Sequence, residues 1–281
     1  MNMALVSSRE MLLKAQKEGY ALGAFNVENM EMVQAVIEAA EEMRSPVMIQ
    51  TTSGTLKYAT PAMYASMVRA MAEKASVPVC MHLDHGDSVE TAKKCMEAGY
   101  TSLMIDGSKL DFEANIAITR EVVEMAGDLP IEAELGTVGG KEDGHSAEAQ
   151  YTEPDKAVEF VKRTGISSLA VAIGTAHGIY KGEPKLDIGR LAEIRKVVDI
   201  PLVLHGTSGV PEDAVRACIK EGICKVNYAT DLRIAYTNGV RALLAEKPEA
   251  YDPKAFGKVG RAEVKKVVCD RIRLVGSDGK A

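Results

Sequence analysis

Residues 76–99, "SVPVCMHLDHGDSVETAKKCMEAG", hold one complete strand–loop–helix unit. The run 77–83 is short and apolar, the pattern of a strand buried on both faces. The run 88–98 is an amphipathic helix. The same unit recurs on either side. Strands are predicted at 21–26, 46–51, 77–83, 102–105, 130–135, 168–173, 201–204 and 223–227. After the first strand, Val33, Val36, Ile37 and Ala40 mark the apolar face of a helix. Further helices are predicted at 61–74, 88–98, 112–125, 154–164, 188–198, 211–221 and 230–246. Strands alternating with helices of this length build a parallel sheet, and eight units in about 230 residues close into a (β/α)8 TIM barrel. The barrel is expected over about 20–246, preceded by an N-terminal helix capped near Ser7 or Ser8. A C-terminal helical extension follows at about 251–281. No linker or low-complexity tract divides the chain, so 1–281 is expected to be a single α/β domain.

Composition excludes several classes of function. Of 281 residues, 46% are hydrophobic and 26% charged, and the net charge is −6, opposite in sign to a nucleic-acid binder. No apolar run reaches the roughly 18 residues that a membrane helix needs. Arg9 and Glu10 interrupt the N-terminus too early for a secretory signal. The five cysteines (80, 95, 218, 224 and 269) include no CxxC pair, which fits a reduced, cytoplasmic protein.

TIM barrels do their chemistry at the C-terminal ends of the strands. Here those ends read Asp84-His85, Asp106-Gly107, Glu134, then Gly174-Thr175-Ala176-His177-Gly178 beyond the sixth strand, His205-Gly206-Thr207-Ser208-Gly209, and Asn227-Tyr228-Ala229-Thr230-Asp231. Three of the five histidines fall there and none falls at the lower ends. Converging neutral imidazoles make a zinc site with an open position, so His85, His177 and His205 are the candidate ligands. Side chains alternate along a strand, so His82 is expected on the face opposite His85, shared with Asp84, packed or behind the ligands. His145, in a polar loop, reads as solvated. The glycine-rich segment after strand seven and the helix start at Thr230 and Asp231 suit a phosphate cradle, with simple helix capping as the alternative. The loop 136–149 is long, polar and rich in glycine, as lids are, and carries Glu142.

The motifs "HLDH", "EAELGTVGGKEDG", "AIGTAHGIY", "LVLHGTSGV" and "KVNYATDLR", in this order between "GAFNVEN" and "LVGSDGK", resemble those of the class II, zinc-dependent ketose-bisphosphate aldolases. The similarity is greatest to the subgroup that contains tagatose-1,6-bisphosphate aldolase and many bacterial fructose-1,6-bisphosphate aldolases. The resemblance implies reversible cleavage of a ketose 1,6-bisphosphate to dihydroxyacetone phosphate and glyceraldehyde 3-phosphate. It implies Zn2+ on His85, His177 and His205, with Asp106 and Glu134 as a second or displaced metal position. Asp84 would serve the C4 hydroxyl, and Glu142 the C3 proton from the lid. Gly178, Gly206, Thr207 and Ser208, with Asn227, Tyr228, Ala229 and Thr230, would hold the dihydroxyacetone phosphate part. A monovalent cation (Na+ or K+) near the phosphate and a homodimer or homotetramer are further implications. Two details depart from the pattern: Gly206-Thr207-Ser208-Gly209 stands where relatives read GGSG or GGTG, and strand two ends in "QTTSG". A phosphorylated deoxy-keto-gluconate is the alternative substrate. The nearest chemical rival is a Schiff-base aldolase using Lys225. Arg271 or Arg273 is the expected holder of the far phosphate.

Overall fold

The structure is a computed structural model describing residues 5–142, 145–147, 149–180 and 182–281, with only the backbone considered at 141–142 and 145–147. In chain order the elements are α1 (Ser8–Glu18), β1 (Leu22–Asn26), α2 (Met30–Met43), β2 (Val47–Thr52), α3 (Ser53–Tyr58), α4 (Pro61–Ala72), β3 (Val79–Gly86), α5 (Val89–Ala98), β4 (Ser102–Ile105), α6 (Phe112–Ala126), β5 (Ile131–Leu135), β6 (Gly139–Glu142), β7 (His145–Ala147), α7 (Pro154–Thr164), β8 (Ser168–Val171), β9 (Ala176–His177), α8 (Ile188–Val197), β10 (Leu202–Leu204), α9 (Glu212–Lys220), β11 (Ile223–Tyr228), α10 (Thr230–Glu246) and α11 (Pro253–Val275).

β1, β2, β3, β4, β5, β8, β10 and β11 pair in parallel and close on themselves, so the fold is a (β/α)8 barrel. Its strands are buried along their whole length apart from His85, because side chains pack inward on one face and against helices on the other. The helices begin and end where local chemistry dictates. Asn29, Thr52, Ser88, Asp111 and Asp187 each accept a backbone N–H at a helix start, and Gly19, Gly99, Gly165 and Gly276 close helices in the left-handed conformation.

The lower end of the barrel is shut by α1. Ser7 caps it, and the Val6 N–H donates to Val79 O at the start of β3 (2.9 Å). Met11, Leu12 and Ala15 then pack on Leu22, Met48 and Cys80 in an apolar cluster of their own. On the outside α11 lies across α10 and α2, with Arg261 paired to Glu38 and Lys265 to Glu42.

Two features differ from the sequence expectation. Loop 136–149 contains the strands β6 and β7, an antiparallel hairpin whose β6 also pairs in parallel with β9, Gly140 opposite His177. A short helix, α3, directly follows β2. Runs this brief carry too few residues for a periodicity to register.

Candidate active site

The upper mouth of the barrel collects the predicted residues. One ligand atom from each of His85, His177 and His205 falls within 4.8 Å of the others. His85 Nε2 and His205 Nδ1 face each other 2.8 Å apart. The far nitrogen of each ring has a carboxylate partner: His85 Nδ1–H donates to Asp106 Oδ2 (2.8 Å), and His205 Nε2–H donates to Glu132 Oε1 (2.8 Å). With those protons placed, the two facing nitrogens of neutral rings both carry lone pairs, an arrangement that a cation between them satisfies. Burial holds His205 and His177 well below the usual imidazole pKa, the neighbouring rings adding to it, and so keeps both neutral. The donor set therefore fits a zinc ion.

His85 reaches this mouth by breaking the strand's alternation. The pairing of β3 with β4 slips between Leu83 and Gly86, and His85 adopts a left-handed φ of 45°. This bulge puts consecutive residues, Asp84 and His85, into the same opening. The expectation that His82 and His85 face apart is thus corrected, because alternation holds only while the register does. His82 lies deeper in the barrel, fully buried, sharing a 2.8 Å bond with Ser102 Oγ and 3.4 Å from Lys225 Nζ. It makes its contacts there rather than with Asp84.

Asp84 is held as an ionised acceptor. Asn26 Nδ2–H donates to one carboxylate oxygen (2.8 Å) and Asn227 Nδ2–H to the other (3.0 Å). Gln50 fixes Asn26 in turn (2.8 Å). Burial alone would raise the Asp84 pKa, but His85, His205, Lys225 and the Asn26 bond together bring it below the usual carboxylate range. Asp106 is likewise lowered, its burial outweighed by His85 and Ser108. Asp106 and Glu134 group with His85 as a second possible metal cluster. Glu134 also accepts from the Val138 N–H at the foot of the β6–β7 hairpin (3.1 Å).

Beside the imidazoles opens a cleft of about 400 Å³, part of it open to solvent, lined by Asn26, Asp84, His177 and Arg233 and by the loops after β9, β10 and β11. Gly178, Gly206, Thr207, Ser208, Asn227, Ala229 and Thr230 all border it. Gly206, at φ 65°, brings the β10 loop against the backbone of Ala176, where a Cβ would stand 2.8 Å from the carbonyl. Thr207 ties that loop to β11 by donating to Asn227 O. The Tyr180 hydroxyl accepts the Ala176 N–H (2.7 Å) and donates to Gly206 O (2.7 Å). α10 begins without a side-chain cap, so the capping alternative does not hold at Thr230, and Ser208 Oγ accepts the Asp231 N–H (3.2 Å). The start of α10 and the glycine-rich loops thus meet at the cleft, an arrangement of the kind that receives anions.

Some predicted residues lie elsewhere. Tyr228 points out of the barrel, stacked on Phe25 (5.8 Å) beneath the Arg271 guanidinium (5.4 Å), because β11 turns Asn227 inward and its neighbour outward. Arg271 is paired with Asp231 (2.8 Å) and Arg273 with Asp270 (2.9 Å). Arg233 borders the cleft and is held by Glu28 (2.5 Å). Lys225 is fully buried and paired with Glu132 (2.9 Å), and it does not line the cleft. The side chains of Glu142 and His145 lie outside the described residues. Glu132 and Asn26 went unread in the sequence. The signal that could have found Glu132 is the period-two rule, which puts it on the same face as Glu134, two residues on along one strand.

The class-II fructose-bisphosphate aldolase family profile matches residues 6–280. Among solved structures, the YdjI aldolase from Escherichia coli K12 is 39% identical with a TM-score of 0.89, over 99% of both chains. A candidate fructose-1,6-bisphosphate aldolase from Coccidioides immitis is 31% identical with a TM-score of 0.89, over 96% of both. The fructose-bisphosphate aldolase of Campylobacter jejuni, 24% identical, shares the fold with a TM-score of 0.82, over 99% of this chain and 97% of its own. A site of imidazoles and a clamped carboxylate, set in a barrel matched from end to end by that profile, makes this chain a member of the class II fructose-bisphosphate aldolase family, a carbon–carbon lyase.

Proposed function

We propose that the protein is a zinc-dependent aldolase that reversibly cleaves a ketose 1,6-bisphosphate, fructose or tagatose, to dihydroxyacetone phosphate and glyceraldehyde 3-phosphate. The observation that carries this reading is the convergence of His85, His177 and His205 next to Asp84 at the edge of the anion cleft. His85, His177 and His205 would hold the ion, which would supply Lewis-acid stabilisation of the charge that develops as the bond breaks.

The protein's own groups carry the remaining work. The β10 loop, the start of α10 and Gly178 bind the phosphate of the three-carbon fragment and fix the reacting carbons relative to Asp84. Asp84, ionised and gripped by Asn26 and Asn227, accepts the C4 hydroxyl proton. The Asn227 Oδ1 atom, buried and without a partner among the described residues, is an acceptor for a substrate hydroxyl. Arg233 at the rim offers charge to the second phosphate. Glu142, on the hairpin strand that pairs with β9, is assigned the return of a proton to C3.

The test uses the purified protein. Chelation with EDTA is expected to abolish cleavage of fructose 1,6-bisphosphate or tagatose 1,6-bisphosphate, and zinc to restore it. Borohydride added with substrate is expected to leave activity intact, since Lys225 is sequestered by Glu132. Activity that survives chelation, or is lost to borohydride, defeats the reading. The ratio of kcat/KM for the two bisphosphates assigns the C4 stereochemistry.

A further inference from the structure

Beneath the three imidazoles lies a charge pair that no step of the reaction uses. Lys225 Nζ stands 2.9 and 3.1 Å from the two Glu132 oxygens, and the two side chains are 0% and 1% exposed. Burying two ions removes their hydration, and a well-packed apolar pair of similar volume is often as stable or more so. A charge pair kept in the middle of a barrel therefore needs a purpose beyond cohesion. Its surroundings show one. Glu132 Oε1, the oxygen 3.1 Å from Lys225, is also the atom that receives the Nε2–H of His205.

Resting on the reading of His205 as a metal ligand, we infer that Glu132 is a positioning residue that locks His205 in its Nε2–H form, and that Lys225 holds Glu132 in place for that task. An imidazole presents one lone pair, and the bond made by its other nitrogen decides which. With Nε2 committed to a carboxylate, Nδ1 is the atom left for the ion, and it is Nδ1 that faces His85 Nε2. Lys225 prevents the carboxylate from turning away. On its other side Lys225 approaches His82 Nε2 (3.4 Å), and His82 is braced by Ser102, which also receives the Ser8 hydroxyl of α1 (2.9 Å). A polar column thus runs from the helix that plugs the base of the barrel up to the ligand at its mouth. This gives the barrel lysine a role that is not Schiff-base chemistry.

The first test needs no variant. In the metal-free wild-type protein labelled with 15N-histidine, the His205 ring, assigned by signals lost in His205→Gln, is expected as the Nε2–H tautomer. Finding the Nδ1–H tautomer overturns the inference. In Glu132→Gln the amide accepts a weaker bond and can turn its NH2 toward Nε2, so the apparent zinc dissociation constant, read by competition with a chelator, is expected to rise roughly 10- to 100-fold. In Glu132→Gln/Lys225→Met, which carries no buried charge here, thermal stability is expected to recover while zinc affinity stays low. Recovery of both in the double variant, or zinc affinity of Glu132→Gln within about threefold of wild type, assigns the pair a merely structural role and overturns the inference. A wild-type protein that shows the Nε2–H tautomer yet binds no zinc would instead sink the metal assignment alone.

Discussion

Among the described residues of the site, His85 is the non-glycine residue with a left-handed φ. A non-glycine residue at φ 45° costs energy, on the order of 1 kcal/mol, unless its surroundings hold it there. Here the Asp106 bond and the neighbouring imidazoles do so. The effect is to place an imidazole and a carboxylate, the proposed ligand and proton acceptor, at adjacent positions in one opening. Asp84→Asn removes the acceptor while leaving the metal ligands in place. Cleavage is expected to fall by about 10²- to 10⁴-fold in kcat, with zinc content measured by metal analysis unchanged. A variant with near wild-type kcat would remove Asp84 from the mechanism. Replacing His177 or His205 by Ala takes away one of the three proposed ligands, and the expected result is loss of bound zinc at the concentrations where the wild type is saturated.

At the scale of elements, the β6–β7 hairpin is tied to His177 by main chain. β6 pairs with β9 so that Gly140 lies opposite His177. Gly140 has a φ of 92°, and a Cβ there would stand 2.3 Å from His177 O and 2.6 Å from its N. Gly140→Ala must therefore push the hairpin away from the ligand strand or shift His177. Both zinc affinity and kcat are expected to drop together, measured by chelator competition and by turnover at saturating zinc. A drop in kcat alone would mean that the hairpin moves independently of His177. The cleft is also made at this scale: the start of α10 meets the β10 loop through Ser208, and Tyr180 and Thr207 hold that loop against its neighbours.

At the scale of the whole molecule, the barrel keeps several titratable groups dry. His82, His177 and His205 are all held below the ordinary imidazole value of 6.5, chiefly by burial. Between their folded values and about 6.5 the unfolded chain binds more protons than the folded one, so stability falls as pH drops below about 6.5. Asp84 and Asp106, lowered from 3.8, add stability above about 3.8 and lose it only as pH falls through their folded values. The melting temperature of the metal-free protein is accordingly expected to decline steadily from about pH 6.5 to about pH 5, well before the carboxylates titrate. A flat or rising profile over that range contradicts the burial of neutral imidazoles. Among the described residues no helix is long and apolar enough to cross a membrane, in line with the absence of long apolar runs. By itself the sequence determined the alternation of strands and helices and the end of the barrel at which three histidines gather. These follow from short-range periodicity and from the order of motifs along one chain. The tertiary structure alone decided that His85 turns in beside Asp84, that Tyr228 turns out, and that Glu132 and Lys225 meet under His205. Each of these depends on the register between strands distant in sequence, and register is a property of the closed barrel rather than of any one segment.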